Sequence, residues 1–365
     1  MFYRKLLVFA FVIFMAWMGL VHSTAQNPSV NSPLAKPQPS PTPTPKDGID
    51  VGDDDIVRVD TQLTNILFTA TDKQRRLIIN LKQEDIRILE DGKGQQIFTF
   101  ARQADLPLSL AILIDTSGSQ ERTLPSEKEA AAAFVDAVLR VAKDEAALIT
   151  FTGEATLEQD LTGNPQRLRR AIDRVKFIPP SGYIGGGQTV GTPPISGGNQ
   201  NLAGSTAIWD ALFVTADEVL SSTSDKTRRA IILLSDGVNT SGKYKLDDAV
   251  QQAIKADTAI YSIGIGDDFY GGVNEGVLRK ISEKTGGRAF FPRNEDDLRK
   301  AFEQIQIELR SQYLVAYSPS NSKRDGTYRT VKVEIVNADL KKQELVLRHR
   351  QGYFAKTEET KNKKP

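Results

Sequence analysis

The sequence has no cysteine and only two histidines among its 365 residues, His22 and His349. Without cysteine the chain can form no disulfide, no thiolate metal site and no thiol nucleophile. One histidine lies near the N-terminus and the other in a basic, strand-like stretch, so catalysis by histidine is not favoured. The formal net charge is only +1, and nucleic-acid binding is not expected because it normally requires a basic excess.

The chain begins with a short apolar run. Arg4 and Lys5 precede residues 6–21, which are slightly too few for a membrane-spanning helix, and Ser23-Thr24-Ala25 supplies the small residues that signal peptidase requires. We therefore predict a signal peptide, residues 1–25, and a secreted or periplasmic protein. The alternative is an uncleaved segment that anchors the protein to the membrane, facing outward. No cysteine follows the run, which excludes a bacterial lipoprotein anchor.

Composition divides the remaining chain into further segments. Residues 26–55 are rich in proline, which favours an extended, semi-rigid linker. Residues 56–106 and 311–356 alternate in polarity as strands do, and residues 357–365 form a charged tail. Each β segment alone would leave unpaired edges and an uncovered apolar face. We therefore predict that the two pair into one β-sandwich-like domain; two separate small β-domains are the alternative.

Strand and helix patterns alternate between the two β segments, over residues 107–310. The strand-like apolar runs are residues 108–114, 146–151, 230–234 and 259–265, and the helical patterns are residues 126–141, 165–175, 206–220, 247–256, 277–285 and 295–309. This alternation predicts an α/β fold: a doubly wound, mainly parallel sheet of the Rossmann-like kind, with helices on both faces.

Chemically useful side chains follow the first of these strands. Asp115, Ser117 and Ser119 occupy alternate positions, so in extended chain they point to the same side. A carboxylate and two hydroxyls are hard oxygen donors that suit a cation such as Mg²⁺. Asp236 follows a second strand, and Thr206 lies at the start of a helix. Ligands of doubly wound sheets bind outside the carboxyl ends of the strands, so these loops should meet at one edge.

The order Asp115-x-Ser117-x-Ser119, then Thr206, then Asp236 in a Ser-Asp-Gly turn, resembles the metal-ion-dependent adhesion site (MIDAS) of von Willebrand factor type A (vWA) domains. The resemblance covers about residues 108–309. The flanking strands and residues 285–291 also resemble secreted bacterial VWFA-related proteins. The resemblance implies one site for Mg²⁺, or for Mn²⁺ or Ca²⁺, with these five residues as ligands, the carboxylates acting directly or through water.

Three of the five expected ligands are neutral hydroxyls, which would leave a divalent cation under-neutralised. An Asp or Glu carboxylate from a partner protein could then complete the coordination shell. No neighbouring residue is a good nucleophile or general base. The sequence therefore predicts a metal-dependent protein-binding module, for adhesion or complex assembly, and not an enzyme. A structural protein of the cell envelope that uses the same fold without metal is the alternative.

Three other segments carry weaker signals. Residues 237–244 nearly match a P-loop, but Tyr244 replaces the serine or threonine that would hold Mg²⁺. Ser117 stands where a phosphatase-type Asp-x-Asp site needs its second aspartate. Residues 177–204 form a Gly- and Pro-rich loop just before Thr206, and such a loop is either a specificity loop at the rim of the site or an unstructured insertion.

Overall fold

The computed structural model describes residues 63–103, 105–179, 205–224, 226–266 and 271–357, all within one compact unit, Val59–Pro365. The predicted signal peptide, the proline-rich linker, the strand-like residues 56–60, most of the Gly/Pro-rich loop and nearly all of the charged tail lie outside the described residues. None of the described helices has both the length and the apolar character needed to cross a membrane.

Fourteen strands form three sheets within the described residues. They are β1 (Thr64–Thr71), β2 (Ile86–Glu90), β3 (Lys93–Gln95), β4 (Ile97–Gln103), β5 (Leu108–Asp115), β6 (Glu145–Phe151), β7 (Ala155–Thr162), β8 (Arg228–Ser235), β9 (Thr258–Gly264), β10 (Ala289–Phe290), β11 (Gln312–Tyr317), β12 (Tyr328–Ile335), β13 (Val346–His349) and β14 (Gly352–Phe354).

Seven α-helices lie in the same described part of the chain. They are α1 (Leu124–Val138), α2 (Pro165–Arg174), α3 (Ile208–Val214), α4 (Leu246–Lys255), α5 (Glu275–Thr285), α6 (Glu295–Arg310) and α7 (Ala338–Lys342). A π-helical segment, Thr215–Leu220, continues α3, and short 3₁₀ turns occupy Gln83–Asp85 and Gly118–Gln120.

The largest sheet has six strands in the order β10-β9-β8-β5-β6-β7. All neighbours are parallel except β6 and β7. Every residue of β5 is buried, which explains its unbroken apolar sequence. Leu110 and Ile112 pack with α1, α2 and α6, whereas Ala111 and Leu113 pack with α3, α4 and α5 on the other face. The predicted doubly wound sheet with helices on both faces is confirmed.

The strands outside this sheet form two antiparallel sheets, β13-β1-β11-β4 and β14-β12-β2-β3. Each contains strands from both ends of the chain: β1 pairs with β11 and β13, and β2 pairs with β12. A shared apolar core lies between them, in which Phe68 stacks on Tyr313 with ring centroids 5.1 Å apart. The prediction that the N- and C-terminal strands build one sandwich-like domain is confirmed.

Three elements differ from the sequence prediction, one of which is α7, a short helix inside the C-terminal segment that was predicted to form strands. Strand β7 was not predicted, because it is an edge strand without a buried residue and its polar sequence resembles a loop. The helix expected from Thr206 begins instead at Ile208, and its last six residues are π-helical. Thr206 therefore lies in the loop before the helix, where its backbone can bond to another loop.

The pairing of the sandwich predicts how fragments behave. Both hydrogen-bonded neighbours of β1 come from the C-terminal segment, so residues 56–106 expressed alone should show no cooperative unfolding transition, because an isolated pair of strands is marginal in water. Adding residues 311–356 as a second chain should restore it. Thermal melting and amide NMR dispersion would measure this. A cooperative melt of residues 56–106 alone would contradict the expectation.

Candidate metal centre

The two aspartates of the predicted site end neighbouring strands. Asp115 is the last residue of β5, and Asp236 directly follows β8. These strands are parallel and paired in register, with Ile114 opposite Leu234. Strand pairing in the centre of the sheet thus carries both carboxylates to the same edge, as the sequence led us to expect.

Hydrogen bonds hold Asp115 in place. It is fully buried, and one carboxylate oxygen accepts from the backbone N–H of Ser117 at 3.0 Å while the other accepts from the Ser235 hydroxyl at 2.7 Å. The Ser117 and Ser119 hydroxyl oxygens lie 3.4 Å apart. The Ser119 hydroxyl is also near Asp236, where it partly opposes the rise in the pKa of Asp236 that burial causes. The structure therefore brings together four of the five predicted residues.

The fifth residue, Thr206, is tied to the same edge through backbone contacts. Its N–H donates to the Thr240 hydroxyl at 2.8 Å, and its carbonyl accepts from the N–H groups of Thr240 and Ser241 at 2.9 and 3.1 Å. Both partners follow β8 closely in sequence. Because the loop after β8 also begins with Asp236, these bonds connect Thr206 to the aspartate loop.

Burial controls the electrostatics of the two aspartates. Burial raises the pKa of Asp115 to about 7; its bonds with Ser117 oppose this rise, and the charge of nearby Asp236 adds to it. Burial also raises the pKa of Asp236, with opposition from Ser119 and from the N–H of Val238, which bonds to it at 2.8 Å. Neither carboxylate forms an ion pair with a described Lys or Arg. Their negative charge therefore lacks a cation.

A third acidic residue lies close by. Glu127, in the first turn of α1, is fully buried, and neither of its carboxyl oxygens has a hydrogen-bond partner among the described residues. Burial raises the pKa of Glu127 to about 8; the nearby Thr123 hydroxyl, which itself donates to Gln120, only partly opposes this rise, and the charges of Asp115 and Asp236 add to it. Three buried carboxyl groups thus share one region of negative potential.

Sequence reasoning missed two contributors to this region. Ser235 was quoted only as part of the turn before Asp236, although its hydroxyl bonds to Asp115. Glu127 was not singled out at all. Helical spacing could have revealed it, because it shares the buried face of α1 with Leu124 and Ala131, where a carboxylate is unusual.

The donors present fit a small divalent cation. The predicted set offers two carboxylates and three hydroxyls, all of them oxygen ligands of the kind Mg²⁺ prefers. No group of three or more His, Cys, Asp or Glu in the described residues forms a metal cluster of its own. The buried carboxylates without a neighbouring cation are the structural feature that a bound metal would neutralise.

Two family models match the sequence, and both describe a von Willebrand factor type A domain. One matches residues 110–239 and the other residues 195–304. Their combined span begins in β5, ends in α6 and includes all five predicted ligands. A search of curated proteins found no match to the chain.

Several solved structures are similar at low identity. A von Willebrand factor type A protein from Catenulispora acidiphila is 15% identical, with 83% of this chain and 76% of that chain covered and a TM-score of 0.44. An aerotolerance-related membrane protein from Bacteroides fragilis is 18% identical, with 55% and 98% covered and a TM-score of 0.41. Proximal thread matrix protein 1 from the mussel byssus, solved with a zinc-occupied MIDAS motif, is 14% identical, with 56% and 48% covered and a TM-score of 0.42.

Similarity at this level does not support the transfer of any property of those three proteins. The family models agree with the observed fold: a six-stranded, mainly parallel sheet between two layers of helices, with aspartates at the ends of two central strands. Residues 110–304 of this chain form a von Willebrand factor type A domain.

Proposed function

We propose that this protein is a secreted or periplasmic module that binds a partner protein through a divalent cation. The cation, Mg²⁺ or else Mn²⁺ or Ca²⁺, is held by the predicted ligands Asp115, Ser117, Ser119, Thr206 and Asp236. Domains of this family are generally protein-binding modules. The observation that carries the proposal is the buried Asp115–Asp236 pair, which no cationic side chain of the described residues neutralises.

The charge balance explains why a partner carboxylate would bind. A divalent cation lowers the pKa of both aspartates, so each becomes fully ionised when metal is present. The Ser235 hydroxyl and the Ser117 N–H already donate hydrogen bonds to the carboxylate of Asp115. These bonds reduce the negative charge that the carboxylate offers to a metal. The three hydroxyl ligands are neutral and contribute no negative charge. An Asp or Glu side chain of a partner supplies the missing charge and a coordinating oxygen, which is recognition and not catalysis.

Metal binding should stabilise the folded protein. At about ten times its Kd, a ligand that binds only the folded state adds roughly 1.4 kcal/mol, so Mg²⁺ or Mn²⁺ should raise the melting temperature by a few degrees relative to EDTA. Asp236→Asn should remove the shift. Asp339→Asn, an exposed aspartate in α7, is the matched control and should keep it. If no metal shifts the wild type at millimolar concentration, the metal-free structural role is the better account.

Partner capture tests the second half of the proposal. The wild-type protein, immobilised and incubated with envelope extract, should retain specific proteins in Mg²⁺ and release them in EDTA. Asp236→Asn should retain none of them, whereas Asp339→Asn should retain the same set. Retention that is equal with and without chelator would contradict a metal-bridged contact.

The proposed location depends on the N-terminal segment. Its basic residues, apolar run and Ser23-Thr24-Ala25 favour export and cleavage after Ala25. N-terminal sequencing of the protein from its native fraction should therefore begin at Gln26. A chain that retains Met1 and sediments with membranes would instead support the outward-facing anchor.

A further inference from the structure

A strongly basic cleft lies away from the metal centre. Its volume is about 740 Å³, and it lies where the start of β8 and the end of α4 meet the sandwich strands β1 and β14 and the loop after β11. Among the described residues, seven arginines and lysines line it, against a single acidic residue, Asp257. The whole chain has a net charge of only +1, so this is a local concentration of positive charge.

Two arginines of the cleft are held in place by hydrogen bonds, and each keeps one N–H group without a partner among the described residues. Arg329 is 3% exposed and bonds to the carbonyls of Asn321 and Lys323, with Glu90 at 3.6 Å, yet its Nε is buried without a partner among the described residues. Arg350 pairs with Asp257 and donates to a backbone carbonyl at 2.7 Å, and its Nε is likewise unpartnered.

The rim of the cleft adds cations that are not neutralised. Lys323 and Lys356 are exposed and form no ion pair with a described residue. The ammonium group of Lys255 lies 5.2 Å from the ring centroid of Phe354, a contact that leaves its charge intact. Arg329 fixes the loop that carries Lys323 by bonding its carbonyls, so part of the rim is pre-positioned.

We infer that this cleft binds a soluble ligand that carries several phosphate groups. Guanidinium groups match phosphate oxygens with paired N–H donors, and lysines add point charges around them. A ligand with one negative charge would leave most of the lining repulsive, whereas a multivalent phosphate neutralises several cations at once. The cleft is at the amino ends of β8 and β9, opposite the edge that carries Asp115, so the two sites are roughly 25 Å apart.

Calorimetry with inorganic triphosphate tests this inference. EDTA should be present so that no metal links the probe to the MIDAS residues. Triphosphate should bind at least tenfold more tightly than monophosphate, and higher salt should weaken it. The double variant Lys323→Gln/Lys356→Gln should weaken binding about tenfold, because it removes two exposed charge contacts without touching the buried arginines. Lys93→Gln/Lys300→Gln removes the same charge elsewhere and should leave the Kd unchanged.

Three results would overturn the inference. The first is no triphosphate binding at millimolar concentration, and the second is equal weakening in both double variants, which would indicate non-specific attraction. The third is binding to phosphatidylglycerol vesicles without any binding of triphosphate. In that case the basic surface would contact a membrane and would not be a site for a soluble phosphate.

Discussion

Asp144→Ala should lower the free energy of unfolding by about 3–5 kcal/mol, the largest effect we expect from a single substitution outside the metal centre. The Asp144 side chain is fully buried directly before β6. It accepts hydrogen bonds from the N–H of Leu108 at 2.9 Å, from Arg140 and from Arg310. It thus connects the beginning of β5 with the ends of α1 and α6.

The cost comes from the groups that lose their partner. In the variant, Arg140, Arg310 and the Leu108 N–H remain partly or fully desolvated. They no longer have the carboxylate as hydrogen-bond acceptor to offset that cost. Urea denaturation at pH 7 measures the loss. Asp105→Ala is the control, because Asp105 pairs with the same Arg140 from an exposed position, and its removal should change stability little. Similar losses in both variants would contradict this account.

The contribution of Asp144 also depends on pH. Burial alone would raise its pKa, but the bonds from Arg140, Arg310 and the Leu108 N–H outweigh burial and hold the pKa of Asp144 well below its usual range. A carboxylate with a depressed pKa stabilises the fold above its unfolded pKa of about 4, and this stability is lost as the pH falls further. The difference in free energy of unfolding between wild type and Asp144→Ala should therefore be constant near neutrality and decrease below about pH 4.

Glu127→Gln should make the metal-free protein more stable at alkaline pH. Burial raises the pKa of Glu127 from 4.5 to about 8, so the folded state holds its proton over a range in which the unfolded state has lost it. Such a group supports the fold fully below pH 4.5, and its support is lost as the pH rises towards 8. Glutamine cannot ionise, so the variant should gain roughly 2–4 kcal/mol relative to wild type between pH 5 and pH 9.

Urea unfolding in EDTA at several pH values measures this difference. Glu129→Gln is the matched control, because Glu129 is exposed on the same helix and should leave the pH dependence unchanged. Bound metal should reduce the difference in free energy of unfolding between wild type and Glu127→Gln, because a nearby cation lowers the pKa of the Glu127 carboxyl in the folded state. If the free energy of unfolding of Glu127→Gln has the same pH dependence as that of the wild type in EDTA, Glu127 ionises at the same pH in the folded and unfolded states and its pKa is not raised by burial.

Much of the fold could be predicted because it depends on local sequence. The apolar run of β5 requires cover on both faces, and the structure provides it. The pair Asp91-Gly92 is a typical hairpin sequence, and in the structure both residues have positive φ, 48° and 79°, between β2 and β3. Strand β7 escaped prediction because a solvated edge strand needs no apolar pattern.

Some residues of the candidate site could also be placed together from local sequence, whereas others depend on strand pairing. Asp115, Ser117 and Ser119 are close because they are near neighbours in the sequence, although the chain is not extended throughout as predicted: β5 ends at Asp115, and Ser119 lies in the 3₁₀ turn Gly118–Gln120. Asp236 joins them because β8 pairs with β5, which strand–helix alternation could anticipate. The assignment of a metal to these residues and to Thr206 stays a prediction until the metal titration is done.

The sequence by itself determined the fold class, the order of the elements and the edge at which the aspartates meet, because these follow from hydrophobic periodicity and residue spacing along single strands and helices. Only the tertiary structure decided that Glu127 is buried without a hydrogen-bond partner in the described part of the chain and that Arg329 and Arg350 line one cleft with Lys323. Burial and the absence of a partner depend on segments that pack from far along the chain. The charge environment of a side chain is therefore set only when those segments meet.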